Sequence, residues 1–222
     1  MPTSPWQPIS PIIDLVMDMT PRPRKVLDVG FGFGKWGLLL REYLEYFGQS
    51  GKPADSRTVV IDGVEVFPPY IGRIQRAIYD SIYEGDIVVI LPRIASDSYD
   101  LVMLIDVLEH FDKSQGSNVL KECQRVGKAV IVSTPSGWFA QGAAYGNPYE
   151  VHKALWTRKD LKQAGARFVF RMGNWIGVFA RPPYASQYSW RYKVNFWGRW
   201  HLPDWGREMM RPLWHLVHRP GT

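Results

Sequence analysis

Apolar residues in this chain fall into short runs whose spacing switches between the period of a strand and that of a helix. Val26 to Val29 suits a buried strand, and the apolar run from Leu38 to Phe47 suits a helix that follows almost at once. Thr58 to Glu65 predicts a second strand, and Tyr99 to Asp106 the fourth, nearly unbroken in its apolar character as strands central to parallel sheets are. Residues 114–125 read as a helix and Lys128 to Ser133 as another strand. Before the first strand, Ser10 is expected to cap a short helix with Pro11 at its first position and Ile12, Ile13, Val16 and Met17 on its apolar face, stopped by Thr20-Pro21-Arg22-Pro23. Pro68-Pro69 opens a further helix, with Ile71, Ile74 and Ile78 on one side and Arg73 and Arg76 on the other, the pattern of a sheet-covering element. Thr157 to Asp160 has capping-box spacing and Gly165 ends that helix, after which Ala166 to Met172 and Trp175 to Ala180 form an antiparallel pair around Gly173-Asn174. The alternation predicts an α/β fold.

The junction between the first strand and its helix carries the chemistry. Glycine lets the backbone take up φ > 0 and approach a ligand closely, and the new helix offers unpaired N–H groups to the turn. Three cradles compete for Val26-Leu27-Asp28-Val29-Gly30-Phe31-Gly32-Phe33-Gly34-Lys35-Trp36-Gly37. A phosphate loop fails, because Val29 stands where its first glycine belongs and Trp36 where Ser or Thr would bind magnesium. The dinucleotide fingerprint G-x-G-x-x-G is met by Gly32, Gly34 and Gly37. D-x-G-x-G-x-G is met by Asp28, Gly30, Gly32 and Gly34, and its acid suits a ligand carrying an ammonium and a sulfonium better than one carrying a pyrophosphate. This last pattern resembles the first motif of the class I S-adenosylmethionine-dependent methyltransferases.

Further along, Asp106-Val107-Leu108-Glu109-His110, a D-x-L-E-H segment after a buried strand, resembles small-molecule members of the same family and has no counterpart in the dehydrogenase fingerprint. The resemblance covers about residues 26–181. It implies a Rossmann-like, seven-stranded methyltransferase sheet, mostly parallel with a C-terminal antiparallel hairpin and helices on both faces. It implies S-adenosylmethionine as cofactor, held by Asp28, Gly30, Gly32, Gly34, Glu65, Asp86, Ile87 and Asp106. Glu65, at the tip of a strand, would accept from ribose hydroxyls, or be an exposed strand-end carboxylate with no ligand. Asp86 would accept from the adenine amino group while Ile87 packs on the ring, a plain turn being the other reading. The expected reaction is methylation of a small-molecule acceptor, such as a sugar or other metabolite hydroxyl. A histidine suits removal of the hydroxyl proton, with His110 the first candidate and His152 the second, although His110 could equally pack against a loop. No metal is expected, because His110 and Asp112 lack a third ligand at helical or loop spacing. The alternatives are a module that binds S-adenosylmethionine or a nucleotide without turnover, and an NAD-dependent dehydrogenase.

From Ser136 to Leu155 the chain is rich in glycine and aromatics, including Trp138, Phe139, Tyr145, Tyr149 and His152, and reads as a lid or acceptor-binding wall. At 222 residues, 45% hydrophobic and 22% charged, the composition fits one folded domain. No long apolar run and no charged-then-apolar leader at Met1 is seen, so a cytoplasmic location is expected, and the single Cys123 reads as structural. The net charge of +6 is uneven: residues 184–222 hold six Lys or Arg against Asp204 and Glu208, with five of the ten tryptophans. A boundary is therefore expected between a methyltransferase domain, 1–183, and a basic Trp-rich extension, 184–222. Between Asp204 and His218 that extension reads as an amphipathic helix, suited to peripheral membrane contact, to packing on the domain, or to a homodimer, with nucleic acid the weaker expectation.

Overall fold

Runs of β-branched and aliphatic residues bounded by turns become the strands of one sheet, and the amphipathic runs between them cover its two faces. The computed structural model describes residues 4–46, 57–188 and 190–203. In chain order the elements are α1 (Ile9–Met17), β1 (Lys25–Val29), α2 (Lys35–Leu40), β2 (Val60–Glu65), α3 (Arg73–Ile78), β3 (Ser81–Glu84), α4 (Ile87–Ile90), β4 (Tyr99–Ile105), α5 (Lys113–Val126), β5 (Gly127–Thr134), α6 (Arg158–Gln163), β6 (Phe168–Met172), β7 (Asn174–Ala180) and α7 (Trp190–His201). The strand order is β3-β2-β1-β4-β5-β7-β6. The five strands β1 to β5 pair in parallel, and β7 is antiparallel to both β5 and β6. This is the seven-stranded sheet that the resemblance implies.

The pleat sorts apolar residues into two cores. Val26, Leu101, Met103, Ala129 and Ile131 face one side, against α1 and Trp36 and Leu40 of α2. Leu27, Val29, Val102, Leu104, Val130 and Val132 face the other, against Val119, Leu120 and Cys123 of α5 and Leu161 of α6. That alternation is the period-two geometry of a strand buried on both faces.

Several elements differ from expectation. The helix α1 begins at Ile9 with Pro8 at its cap, so Ser10 lies inside it and caps nothing. The run after Gly34 forms α2 and then a π-helical turn over Arg41–Tyr46, with Phe47 outside the described residues. In α3 only Gln75 and Ile78 are buried, and Ile74 is 70% exposed; the helix starts at Arg73, so Ile71 precedes it and the expected three-isoleucine face does not form. Edge strand β3 escapes the apolar pattern because it is largely exposed and, among the described residues, pairs with β2 alone.

The change of composition at residue 184 is not a break in packing. Tyr184, Tyr188, Tyr192 and Phe196 are buried in the same core cluster as Ile12, Leu15 and Val16 of α1. Arg199 of α7 bridges Asp14 at 3.0 Å and Asp18 at 3.2 Å. The amphipathic stretch expected between Asp204 and His218 lies outside the described residues. Among the described residues no helix is long and apolar enough to cross a membrane.

Candidate active site

Strand order reverses between β1 and β4, and the carboxyl ends of strands at such a reversal frame a ligand crevice. Here the crevice has a volume of about 590 Å³. One wall is the loop leaving β1, where Gly30, Gly32 and Gly34 take φ of 69°, 55° and 80°, a region that residues with a Cβ enter at a cost. Gly30 must also lack a side chain, because a Cβ there would lie 2.7 Å from Cγ2 of Val107, the residue after Asp106. The glycine run and the D-x-L-E-H segment are thus pressed together.

Gly30, Gly32, Glu65, Asp86, Ile87 and Asp106, all named from the sequence as cofactor residues, line this crevice, as do His110 and His152. Glu65 accepts from the Gly32 N–H through Oε2 and from the Phe67 N–H through Oε1, each at 2.9 Å. Those bonds fix the glycine loop to the tip of β2 and leave each oxygen a further lone pair. Asp86 caps α4 by accepting from the Val88 N–H at 2.9 Å, which places buried Ile87 beside it.

Two of the expected cofactor residues stand elsewhere. Gly34 faces Ile78, Tyr79 and Gln75 of the neighbouring helix and caps α2 in its left-handed conformation. Asp28 is buried beneath the loop, where its Oδ2 accepts from the Tyr79 hydroxyl at 2.6 Å. Burial pushes this carboxyl up to about 7, against the opposing pull of that hydrogen bond. Asp28, expected from the sequence to charge the cradle, is not among the residues that line the crevice, and its described side-chain partner is Tyr79 at the end of α3.

The opposite wall begins at Asp106, held at φ 56°. Its Oδ1 accepts from Ser133 Oγ and from Asn174 Nδ2, both at 2.7 Å, whereas Oδ2 is buried without a hydrogen-bond partner among the described residues. Glu109 is only 3% exposed, and burial followed by repulsion from Asp106 pushes its carboxyl well above the usual range. Burial moves the His110 imidazole the other way, down to about 4, so it is neutral at pH 7. His110 Nδ1 lies 3.3 Å from the Val151 carbonyl, and His152 Nδ1 lies 3.1 Å from the Phe139 carbonyl. The long loop is stitched to this wall by Lys153 and Ala154, whose N–H groups donate to the Glu109 carbonyl at 2.7 and 3.2 Å. That seam brings the His110 and His152 rings to 5.2 Å between centroids.

Sequence reasoning gave no role to Lys35 or Asn174, which also line the crevice. Lys35 directly follows the glycines, and its Nζ donates to the Ser4 carbonyl at 2.6 Å, with burial lowering its pKa. Asn174 reads as a turn residue, and only the pairing of β7 with β5 carries it to Asp106.

Comparison with solved structures places this architecture. The PH0226 protein from Pyrococcus horikoshii OT3 is similar at 18% identity and a TM-score of 0.56, over 78% of this chain and 88% of that one. The methyltransferase domain of bacterial-CtHen1-CN is similar at 22% identity and 0.50, over 79% and 98%. The N-terminal domain of EvdMO1, determined in the presence of SAH and D-fucose, is similar at 14% identity and 0.54, over 81% and 85%. At such identities the likeness speaks to the fold. Among curated proteins a search found no match to the chain. Residues 12–141, which hold the glycine loop, Glu65, Asp86 and the D-x-L-E-H wall, match the family described as methionine biosynthesis protein MetW, so the chain belongs to the MetW family, built on the class I S-adenosylmethionine-dependent methyltransferase fold.

Proposed function

We propose that the protein transfers a methyl group from S-adenosylmethionine to a hydroxyl of a small-molecule acceptor, a sugar or comparable metabolite. The observation that carries this reading is that a donor-type cradle and the His110–His152 pair open onto one crevice. The residues fit the donor. Buried Asp106 Oδ2 has no hydrogen-bond partner among the described residues and suits an ammonium group, the spare lone pairs of Glu65 suit ribose hydroxyls, and Asp86 with Ile87 suits an adenine edge and face. When bound, S-adenosylmethionine supplies a methyl group on a sulfonium that an oxygen nucleophile displaces in line.

The chain's own part is then to position and to exclude water. Alignment of this kind can supply about 7 to 11 kcal/mol of a barrier. With Nδ1 of His110 and of His152 each facing a backbone carbonyl, Nε2 is the ring atom left to receive a hydroxyl hydrogen. Exposed Trp138, Phe139, Tyr145 and Tyr149 on the long loop offer flat apolar faces for an acceptor. The similar EvdMO1 domain, determined with SAH and D-fucose present, supports a sugar among candidate acceptors.

Calorimetry with S-adenosylmethionine and with NAD, followed by a screen of hydroxylated acceptors for release of S-adenosylhomocysteine, tests the reading. Stoichiometric binding of the methyl donor and turnover with at least one acceptor are expected. Binding of NAD instead, or donor binding without turnover across sugars and other hydroxylated metabolites, would overturn it.

A further inference from the structure

Spacing along the chain points to no metal site around His110 and Asp112, and Asp112 is occupied as the cap of α5, accepting from the Gln115 N–H at 2.8 Å. Folding changes this. The loop returning through His152 brings one ligand atom each from Glu109, His110 and His152 to within 4.8 Å of one another, on the wall of the crevice. We propose that these three residues bind one divalent cation of the zinc class, with open coordination positions directed at the acceptor.

Four observations support the site. Two nitrogens and one carboxylate oxygen form a donor set suited to borderline divalent metals. Each imidazole has Nδ1 within hydrogen-bonding distance of a backbone carbonyl, Val151 for His110 and Phe139 for His152, an arrangement that suits the Nδ1–H tautomer with Nε2 turned to the cation. Such outer partners accompany metal-binding histidines almost always. Glu109 is held in turn, Thr134 Oγ1 donating to its Oε2 at 3.2 Å. Finally, buried Asp106 and Glu109 share this wall, and among the described residues neither makes an ion pair, so a cation would offset two neighbouring carboxylates. Ligands about 2.0–2.2 Å from zinc stand roughly 3.4 Å apart, so loading the site draws His152 and its loop inward by on the order of 1 Å.

The role of the cation rests on the methyl-transfer reading, but its binding does not. With Nε2 of both rings on the cation, the metal takes over the part of the histidine base: three protein ligands leave room for an acceptor oxygen, whose hydroxyl proton passes to solvent water on coordination. The oxygen then forms its bond to the methyl carbon as the carbon–sulfur bond breaks and its electron pair stays on sulfur. Acceptors with two adjacent oxygens would bind best, since both can occupy open positions.

The test uses full-length, tag-free protein stripped with a chelator and then titrated with Zn²⁺ by calorimetry and with Co²⁺ followed by its visible absorption. One cation per chain, a Co²⁺ spectrum of a nitrogen- and oxygen-ligated site, and a rise in melting temperature on loading are expected. His152→Ala, on the loop, should keep the wild-type melting temperature without metal and bind Zn²⁺ at least tenfold more weakly, and Glu109→Gln should weaken it similarly. Absence of stoichiometric binding, or binding unchanged in His152→Ala, would overturn the site. S-adenosylmethionine affinity measured on the same metal-free protein separates that failure from failure of the methyl-transfer reading.

Discussion

Asp28 shows how a carboxyl at a strand's end can be buried beside a crevice without lining it. Its pKa stands near 7 in the fold against 3.8 for an ordinary aspartate, because burial outweighs the hydrogen bond from Tyr79. Below pH 3.8 folded and unfolded chains both carry the proton. As pH rises toward 7 the unfolded chain ionises first, so stability falls across that window and levels off above it. Asp28→Asn, which keeps an oxygen for the Tyr79 hydroxyl, should remove this share of the pH dependence. Melting temperatures of variant and wild type should therefore diverge in the variant's favour from about pH 4 to 7. Parallel curves would reject the assignment. The sequence makes the acid at the strand's end legible but not the face onto which the pleat turns it. Spacing likewise points to His110, whereas its contact with His152 depends on a fold-back across 42 positions that no local pattern encodes.

At the level of elements, long buried strands are the easiest to read and short exposed ones the hardest. The runs of β4 and β5 predict themselves because both faces are apolar, and Thr157 announces α6 through a capping box in which Asp160 answers the Thr157 N–H at 2.7 Å. Strand β3 depends on pairing with β2 for its existence, and pairing leaves no periodic mark in an exposed segment. The junction of β1, β2 and α2 is tighter than any pattern suggests. A Cβ on Gly63 of β2 would meet Phe31 Cδ1 at 2.5 Å and Tyr79 Cδ1 at 3.1 Å. Gly63→Ala should therefore cost about 1–3 kcal/mol through overpacking. Because Phe31 belongs to the glycine loop, the same change should weaken S-adenosylmethionine binding several-fold in calorimetry. A stability loss with unchanged affinity would show that the loop does not follow Phe31.

For the molecule as a whole, the C-terminal helix closes the core that α1 begins. Phe196 is buried against Phe168 and Phe170, with ring centroids 5.5 and 4.9 Å away, far from the crevice residues in both sequence and sheet position. Phe196→Ala should lower unfolding free energy by about 3–5 kcal/mol in denaturant titration while leaving the affinity of folded protein for S-adenosylmethionine unchanged. A melt like that of the wild type would mean that α7 contributes nothing to the core. The long aromatic loop has the opposite character. Its root is sewn to the Glu109 carbonyl and to Leu108, whose carbonyl receives the Trp156 indole N–H at 3.0 Å, whereas Trp138, Phe139, Tyr145 and Tyr149 stand out from it. If the proposed methyl transfer holds, substitutions among those outer rings would change which acceptor is taken while leaving the glycine loop and the Glu109 seam in place, so divergence in acceptor choice between relatives should concentrate there.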